Sequence, residues 1–182
     1  MQKNILVPIA QGTEELEACA IIDILRRAGA KVTLAGETNI ITCSRGLKII
    51  PDKYFIDIED DEVFDAIVLP GGLEGVERLC VNEYVANILR RHNNANALIC
   101  AICAAPTILS DLKILKGDTL VTSHPSQRRV FKEANYREER IVVSGNIITS
   151  RGAGTAVEFA LKIVELLYSE ELCDKIKNDI VF

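Results

Sequence analysis

A chain of 182 residues, 48% hydrophobic and 26% charged, has the size and composition of one compact globular domain with a sizeable core. Its formal net charge of -5 and isoelectric point near 5.2 leave no surplus of positive potential for phosphate backbones or anionic lipid, so neither nucleic acid nor a membrane is expected as a partner. The opening apolar run Asn4 to Ala10 is too short for a secretory segment and no later run could span a bilayer, which makes the cytoplasm the expected address.

Short β-branched runs alternate with helical stretches, an order that predicts a mostly parallel sheet covered by helices. Ile5 to Ile9 reads as the first strand. Gly12-Thr13 then leads into a helix from about Glu14 to Ala28, which Gly29 closes. Lys31 to Ala35 is the next strand, and Ile40 to Ile50 holds two extended pieces, read as a hairpin around Cys43-Ser44-Arg45-Gly46. Asp65 to Leu69 is a central strand ended by Pro70-Gly71-Gly72. A helix from about Asn82 to Arg91 follows, with Asn93 to Asn96 as its terminating loop. Ala97 to Ile102 is apolar throughout, as expected of a strand buried on both faces. Beyond it the pattern predicts a helix around Pro106 to Asp111, an extended run from Thr119 to Thr122 and a polar helix near Gln127 to Glu133. A hairpin joins Ile141 to Val143 and Ile147 to Thr149 through Gly145-Asn146, and helices span Thr155 to Tyr168 and Glu170 to Lys177. No repeat or linker interrupts the order, so residues 1–182 are expected to form a single domain.

Six cysteines in a chain of this kind read as thiols. Cys19, Cys43, Cys80 and Cys173 sit in contexts that favour buried, inert thiols. Cys103 differs: Ala101-Ile102-Cys103-Ala104-Ala105-Pro106 joins the most apolar strand to a helix, and the alanines leave room for strand and helix to approach, as a nucleophile elbow requires. A thiol there faces the positive end of the following helix, which favours thiolate. The plain alternative is a structural cysteine beside an ordinary turn, and spacing alone does not separate the two. Cys100 completes a CxxC, but it lies within the strand, so a redox or zinc motif is disfavoured. His92 and His124 do not stand at ligand spacing from any cysteine pair, so no metal is expected.

Glu17 shares a helix stripe with Ile21, Ile24 and Ala28 at spacings of four, seven and eleven, whereas Glu15 falls near Arg26 on the polar side. An acid on a core-facing stripe is costly unless neutral or partnered, and burial raises its pKa toward the range useful for proton transfer. The competing reading is a first-turn glutamate bent to solvent. His124, after an extended run, falls where parallel sheets place their sites, while His92 at a helix C-terminus reads as structural. Pro70-Gly71-Gly72 and Arg151-Gly152-Ala153-Gly154 could present backbone N–H groups to an oxyanion, and neither is a nucleotide fingerprint.

Glu14-Glu15-Leu16-Glu17, Val68 to Gly72, Ala101 to Pro106, Ser123-His124-Pro125 and Thr149 to Gly152 together resemble the ThiJ/PfpI superfamily, most closely its DJ-one branch. The resemblance implies a flavodoxin-like fold, a homodimer and an oxidation-sensitive cysteine hydrogen-bonded to a protonated glutamate, positions matched by Cys103 and Glu17. It further implies oxyanion donors at Gly72 and Ala104, with Gly71 in the same pocket, a pocket histidine at His124, and interface arginines at Arg27 and Arg45. Ala105, Ala153 and Cys100 depart from the branch's glycine, proline and alanine. Ala104 stands where protease relatives carry a histidine, which disfavours proteolysis.

Two functions follow from that resemblance. One is a cofactor-free glyoxalase or deglycase acting on a small reactive carbonyl such as methylglyoxal, with a part in oxidative and carbonyl stress. The other is a redox-sensing stress protein or chaperone in which Cys103 is oxidised to sulfinic acid.

Overall fold

The computed structural model describes residues 1–133 and 135–182. Among these residues seven strands form one sheet in the order β5-β2-β1-β6-β7-β9-β8. They are β1 (Asn4–Ile9), β2 (Lys31–Gly36), β5 (Lys53–Tyr54), β6 (Ala66–Leu69), β7 (Leu98–Ile102), β8 (Ile141–Ser144) and β9 (Ile147–Ser150). All pairings are parallel except β8 with β9, the predicted hairpin, in which Val142 faces Thr149 and Val143 faces Ile148. A separate antiparallel pair, β3 (Ile41–Thr42) and β4 (Lys48–Ile49), is the hairpin expected around Cys43 to Gly46.

Among the described residues six α-helices flank the sheet: α1 (Glu15–Arg27), α2 (Leu73–Cys80), α3 (Glu83–Asn94), α4 (Pro106–Asp111), α5 (Ala156–Leu167) and α6 (Glu170–Asp179). Because successive strand side chains point to opposite faces, the central strands feed two cores. Ile5, Val7, Val68, Cys100 and Ile102 pack with Ile21 and Leu25 of α1 and Phe159 and Ile163 of α5. Leu6, Ile67, Leu69, Ile99 and Ala101 pack with Val76 and Leu79 of α2, Leu89 of α3 and Leu109 of α4. This is why the central strands read as unbroken apolar runs.

Several local expectations change. The α2 helix lies in a stretch to which the sequence pattern assigns no element, because Gly75 interrupts its apolar spacing. A Cβ on Gly75 would stand 2.8 Å from the Thr13 amide nitrogen, so the glycine is there to let α2 press on the turn after β1. Thr119 to Thr122 contributes only an isolated bridge from Val121 to Tyr136. The expected helix near Gln127 to Glu133 is a 3₁₀ segment, Pro125–Val130. Cys19 is exposed and Cys80 half-buried, against the buried thiols expected at both. Glu15 does not reach toward Arg26: its carboxylate accepts from the Arg45 N–H at 2.9 Å and the Ser44 hydroxyl at 2.9 Å, tying the β3–β4 loop to α1. Those hydrogen bonds lower its pKa despite the opposing pull of partial burial. No helix among the described residues is long and apolar enough to cross a membrane.

His92 is structural, but as a buried core residue whose burial disfavours the cation and not as a cation at the helix end. It is buried, its Nε2 accepts from the Phe64 N–H at 3.0 Å, and its Nδ1 lies 2.8 Å from the Ile88 carbonyl. Burial, with a contribution from Arg91, lowers its pKa below the ordinary histidine value of 6.5. The unfolded chain therefore takes up a proton that the native state refuses. The native state keeps its full advantage above about pH 6.5 and loses it as pH falls below that value. His92→Gln, which cannot titrate, should therefore shift the difference in urea midpoint between pH 7.5 and pH 5.5 in favour of pH 5.5 relative to the wild type, whatever other groups contribute.

Candidate active site

Three strand ends build the site, at the carboxyl edge of a parallel sheet, where such sheets leave crevices. After β1, Gly12 and Thr13 turn the chain into α1. After β6, Gly71 and Gly72 turn it into α2. After β7 comes Cys103, whose φ of +65° is a left-handed conformation for a residue with a Cβ. Such a backbone costs on the order of 1–3 kcal/mol and persists where surrounding bonds determine it. Here they do: the Cys103 N–H donates to the Ser150 carbonyl at 3.0 Å, and its own carbonyl accepts from the His124 N–H at 2.7 Å.

Glu17 is fully buried, and Ile21, Ile24 and Ala28 on the same stripe are buried with it. Its Oε2 accepts from the Gly71 N–H at 2.7 Å, while Oε1 has no hydrogen bond of regular geometry among the described residues. The Cys103 thiol is close enough to interact with this carboxyl directly. A Cβ on Gly71 would lie 2.7 Å from Glu17 Oε2 and 3.1 Å from Cys103 Sγ, so only glycine lets acid and thiol meet there. Burial pushes the Glu17 pKa up to about 7, against the Gly71 hydrogen bond, which lowers it.

The thiol does not follow the helix-end argument. Burial, then the charge of Glu17 and its hydrogen bond, push Cys103 up to about 12, while the Gly72 and Ala104 N–H groups pull it down. The six-residue α4 is a weak source of positive potential beside a carboxylate in contact with the sulfur. Both contributions from Glu17 change sign or vanish once it holds a proton: the charge is gone, and a carboxylic acid can donate to sulfur where the carboxylate only accepted. Ionisation of the thiol is therefore coupled to protonation of the acid.

The half-buried Cys103 opens onto a cleft of about 500 Å³, lined by Glu17, Gly72, Ala104 and His124 together with Arg45 and Ser126. The expected pocket residues thus converge, with one change. The Gly71 N–H is committed to Glu17 and is not available to a substrate oxygen. Arg27, expected at an interface, pairs with Asp23 on its own helix at 2.7 Å. Sequence reasoning missed Glu14, Glu74, Ser126 and Gln127 on the cleft wall. Only Ser126 and Gln127 had a local signal, their place directly after His124-Pro125. Cys100 is fully buried and burial pushes its thiol well up, so it is no partner in exchange chemistry.

Comparison with known proteins places this geometry. The model of the DJ-1/PfpI family matches residues 3–166. The chain belongs to the DJ-1/PfpI family. It is 42% identical over 185 residues to protein dj-1beta of Drosophila melanogaster, covering 100% of this chain and 98% of that one. A Caenorhabditis elegans family protein named glutathione-independent glyoxalase DJR-1.2 is 36% identical, across 93% of this chain and 91% of its own length. The solved structure of oxidized Toxoplasma gondii DJ-1 superposes with a TM-score of 0.95 at 38% identity, covering 99% of this chain and 98% of that one. The flanked, mostly parallel sheet is thus the flavodoxin-like fold of this family.

Proposed function

We propose that this DJ-1/PfpI protein is a cofactor-free glyoxalase, converting methylglyoxal or its adducts to lactate. The observation that carries the reading is the contact between a half-buried thiol and a fully buried acid titrating near neutrality. In the form with Glu17 protonated and Cys103 ionised, the sulfur attacks the aldehyde carbon and the new oxyanion takes the Glu17 proton, giving a hemithioacetal. The Gly72 and Ala104 N–H groups, which face the sulfur, are suited to steady that oxygen. Glu17, now a carboxylate, removes the hydrogen on the former aldehyde carbon and returns it to the neighbouring carbon through an enediol. One carbon is oxidised and its neighbour reduced, so no external oxidant is consumed. Water then hydrolyses the lactyl thioester and restores the thiol. His124 assists from the cleft wall.

A homodimer in the cytoplasm, with Arg27 and Arg45 at the interface, belongs to the same reading. Exposed Leu16 on α1 and exposed Leu47 and Ile50 by the hairpin support such a surface. The redox-sensor and chaperone reading is favoured by one observation, that a protein so similar in structure has been solved in an oxidized form.

The test is lactate output from methylglyoxal by purified protein without glutathione. Stoichiometric lactate is expected; its absence under conditions where the protein is folded would remove the glyoxalase reading.

A further inference from the structure

The ring of His124 is not free to choose its tautomer. The Ser126 backbone N–H points at His124 Nδ1 from 3.3 Å, and a peptide N–H can only donate, so Nδ1 is an acceptor. The Ser126 hydroxyl oxygen lies 2.8 Å from the same nitrogen. Gln127 Nε2 in turn donates to that oxygen at 3.1 Å, which leaves the hydroxyl's own hydrogen for Nδ1. A chain of donors thus runs from Gln127 through Ser126 to His124. A neutral imidazole whose Nδ1 accepts carries its proton on Nε2.

The opposite edge of the ring faces the chemistry. Cδ2, bonded to Nε2, comes within 3.5 Å of a Cβ built on Gly152, and that position is 3.8 Å from Cys103 Sγ. The backbone bond from His124 N–H to the Cys103 carbonyl roots the ring beside the nucleophile. The Nε2 side of the ring and the reacting sulfur thus border the same point of the cleft, across the ring from the Ser126 contact.

We propose that Ser126, backed by Gln127, is a positioning residue that holds His124 as the Nε2–H tautomer, so that His124 donates a hydrogen bond to a substrate oxygen and does not act as a base. The donor role rests on the glyoxalase reading; the tautomer does not. Within that reading it assigns all proton transfer between the two carbons to Glu17 and leaves His124 to polarise the carbonyl and enediol oxygens, a division of labour that a neutral imidazole supports.

The experiment is long-range proton–nitrogen NMR of the imidazoles at pH 8 in the wild type, Ser126→Ala and Ser126→Thr, alongside lactate kinetics of the same proteins. The wild type should show an unprotonated Nδ1 and a protonated Nε2 at His124. Ser126→Ala should raise the ratio of Nδ1–H to Nε2–H forms by roughly two- to tenfold, the equilibrium worth of one hydrogen bond, and lower kcat in proportion to the Nε2–H share lost, with KM unchanged. Ser126→Thr, which keeps the hydroxyl, should restore both. A wild-type Nδ1–H form overturns the tautomer assignment, and a ratio that Ser126→Ala leaves unmoved overturns the part given to the Ser126 hydroxyl, because the backbone N–H of residue 126 stays in the variant. A ratio that moves while kcat does not overturns the donor role. If even the wild type makes no lactate, the glyoxalase reading and the donor role fall together, and the spectra still decide the lock.

Discussion

Cys103→Ser is expected to lower lactate formation by at least ~10³-fold, to the level left by binding and the backbone donors alone. Serine nearly matches the thiol in shape, so the +65° backbone and its bonds to Ser150 and His124 can remain. A hydroxyl beside a buried acid with no imidazole to take its proton is, however, a far weaker nucleophile than a thiolate. Matching urea midpoints for variant and wild type, with turnover lost, assign the effect to chemistry. The same variant separates the two functions. If suppression of client aggregation survives while lactate output disappears, the holding surface lies elsewhere than the thiol, and survival of lactate formation would remove Cys103 from the mechanism.

Glu17→Gln is expected to act in opposite directions on activity and stability. The amide keeps an oxygen for the Gly71 N–H but cannot move a proton, so turnover should fall by about 10²-fold or more. The native state, in contrast, should gain. Glu17 has a native pKa of about 7 against an ordinary 4.5, so folding withholds ionisation from it across that range. The native chain then binds more protons than the unfolded one, and its stability declines as pH rises from 4.5 to 7. By one pKa unit per 1.36 kcal/mol the loss is about 3 kcal/mol above pH 7. Glutamine removes that pH-dependent loss, so unfolding of the variant should be flatter over this window and its midpoint higher at pH 8. A lower midpoint at pH 8, or near-normal lactate formation, would contradict this account of the buried acid. The wild-type residue is thus a site where stability is given up for a proton carrier held near neutrality.

Much of this was legible one residue at a time. The apolar runs of β1, β6 and β7, the stripe through Glu17, Ile21, Ile24 and Ala28, and the small residues around Cys103 are local signals. The periods of strand and helix translate them directly into burial. The hairpin through Gly145-Asn146 and the closure of α1 are equally local. At the latter, Ala30 N–H donates to the Leu25 carbonyl while Gly29 takes a φ of +82°. The α2 helix was hidden because its Gly75 answers to Thr13, a residue in the distant turn after β1.

The sequence by itself determined the sheet, the corner on which the thiol stands and the face on which the acid lies, since each depends on spacing along one segment. The tertiary structure alone decided what those groups do to one another. It gave the Gly71 N–H to a carboxyl 54 residues away, placed that carboxyl against the sulfur so that the thiol is held up and not ionised by its helix, and turned Ser126 onto His124. Hydrogen-bond partners and desolvation are set by which strand ends meet in space, and a linear pattern carries no record of that meeting.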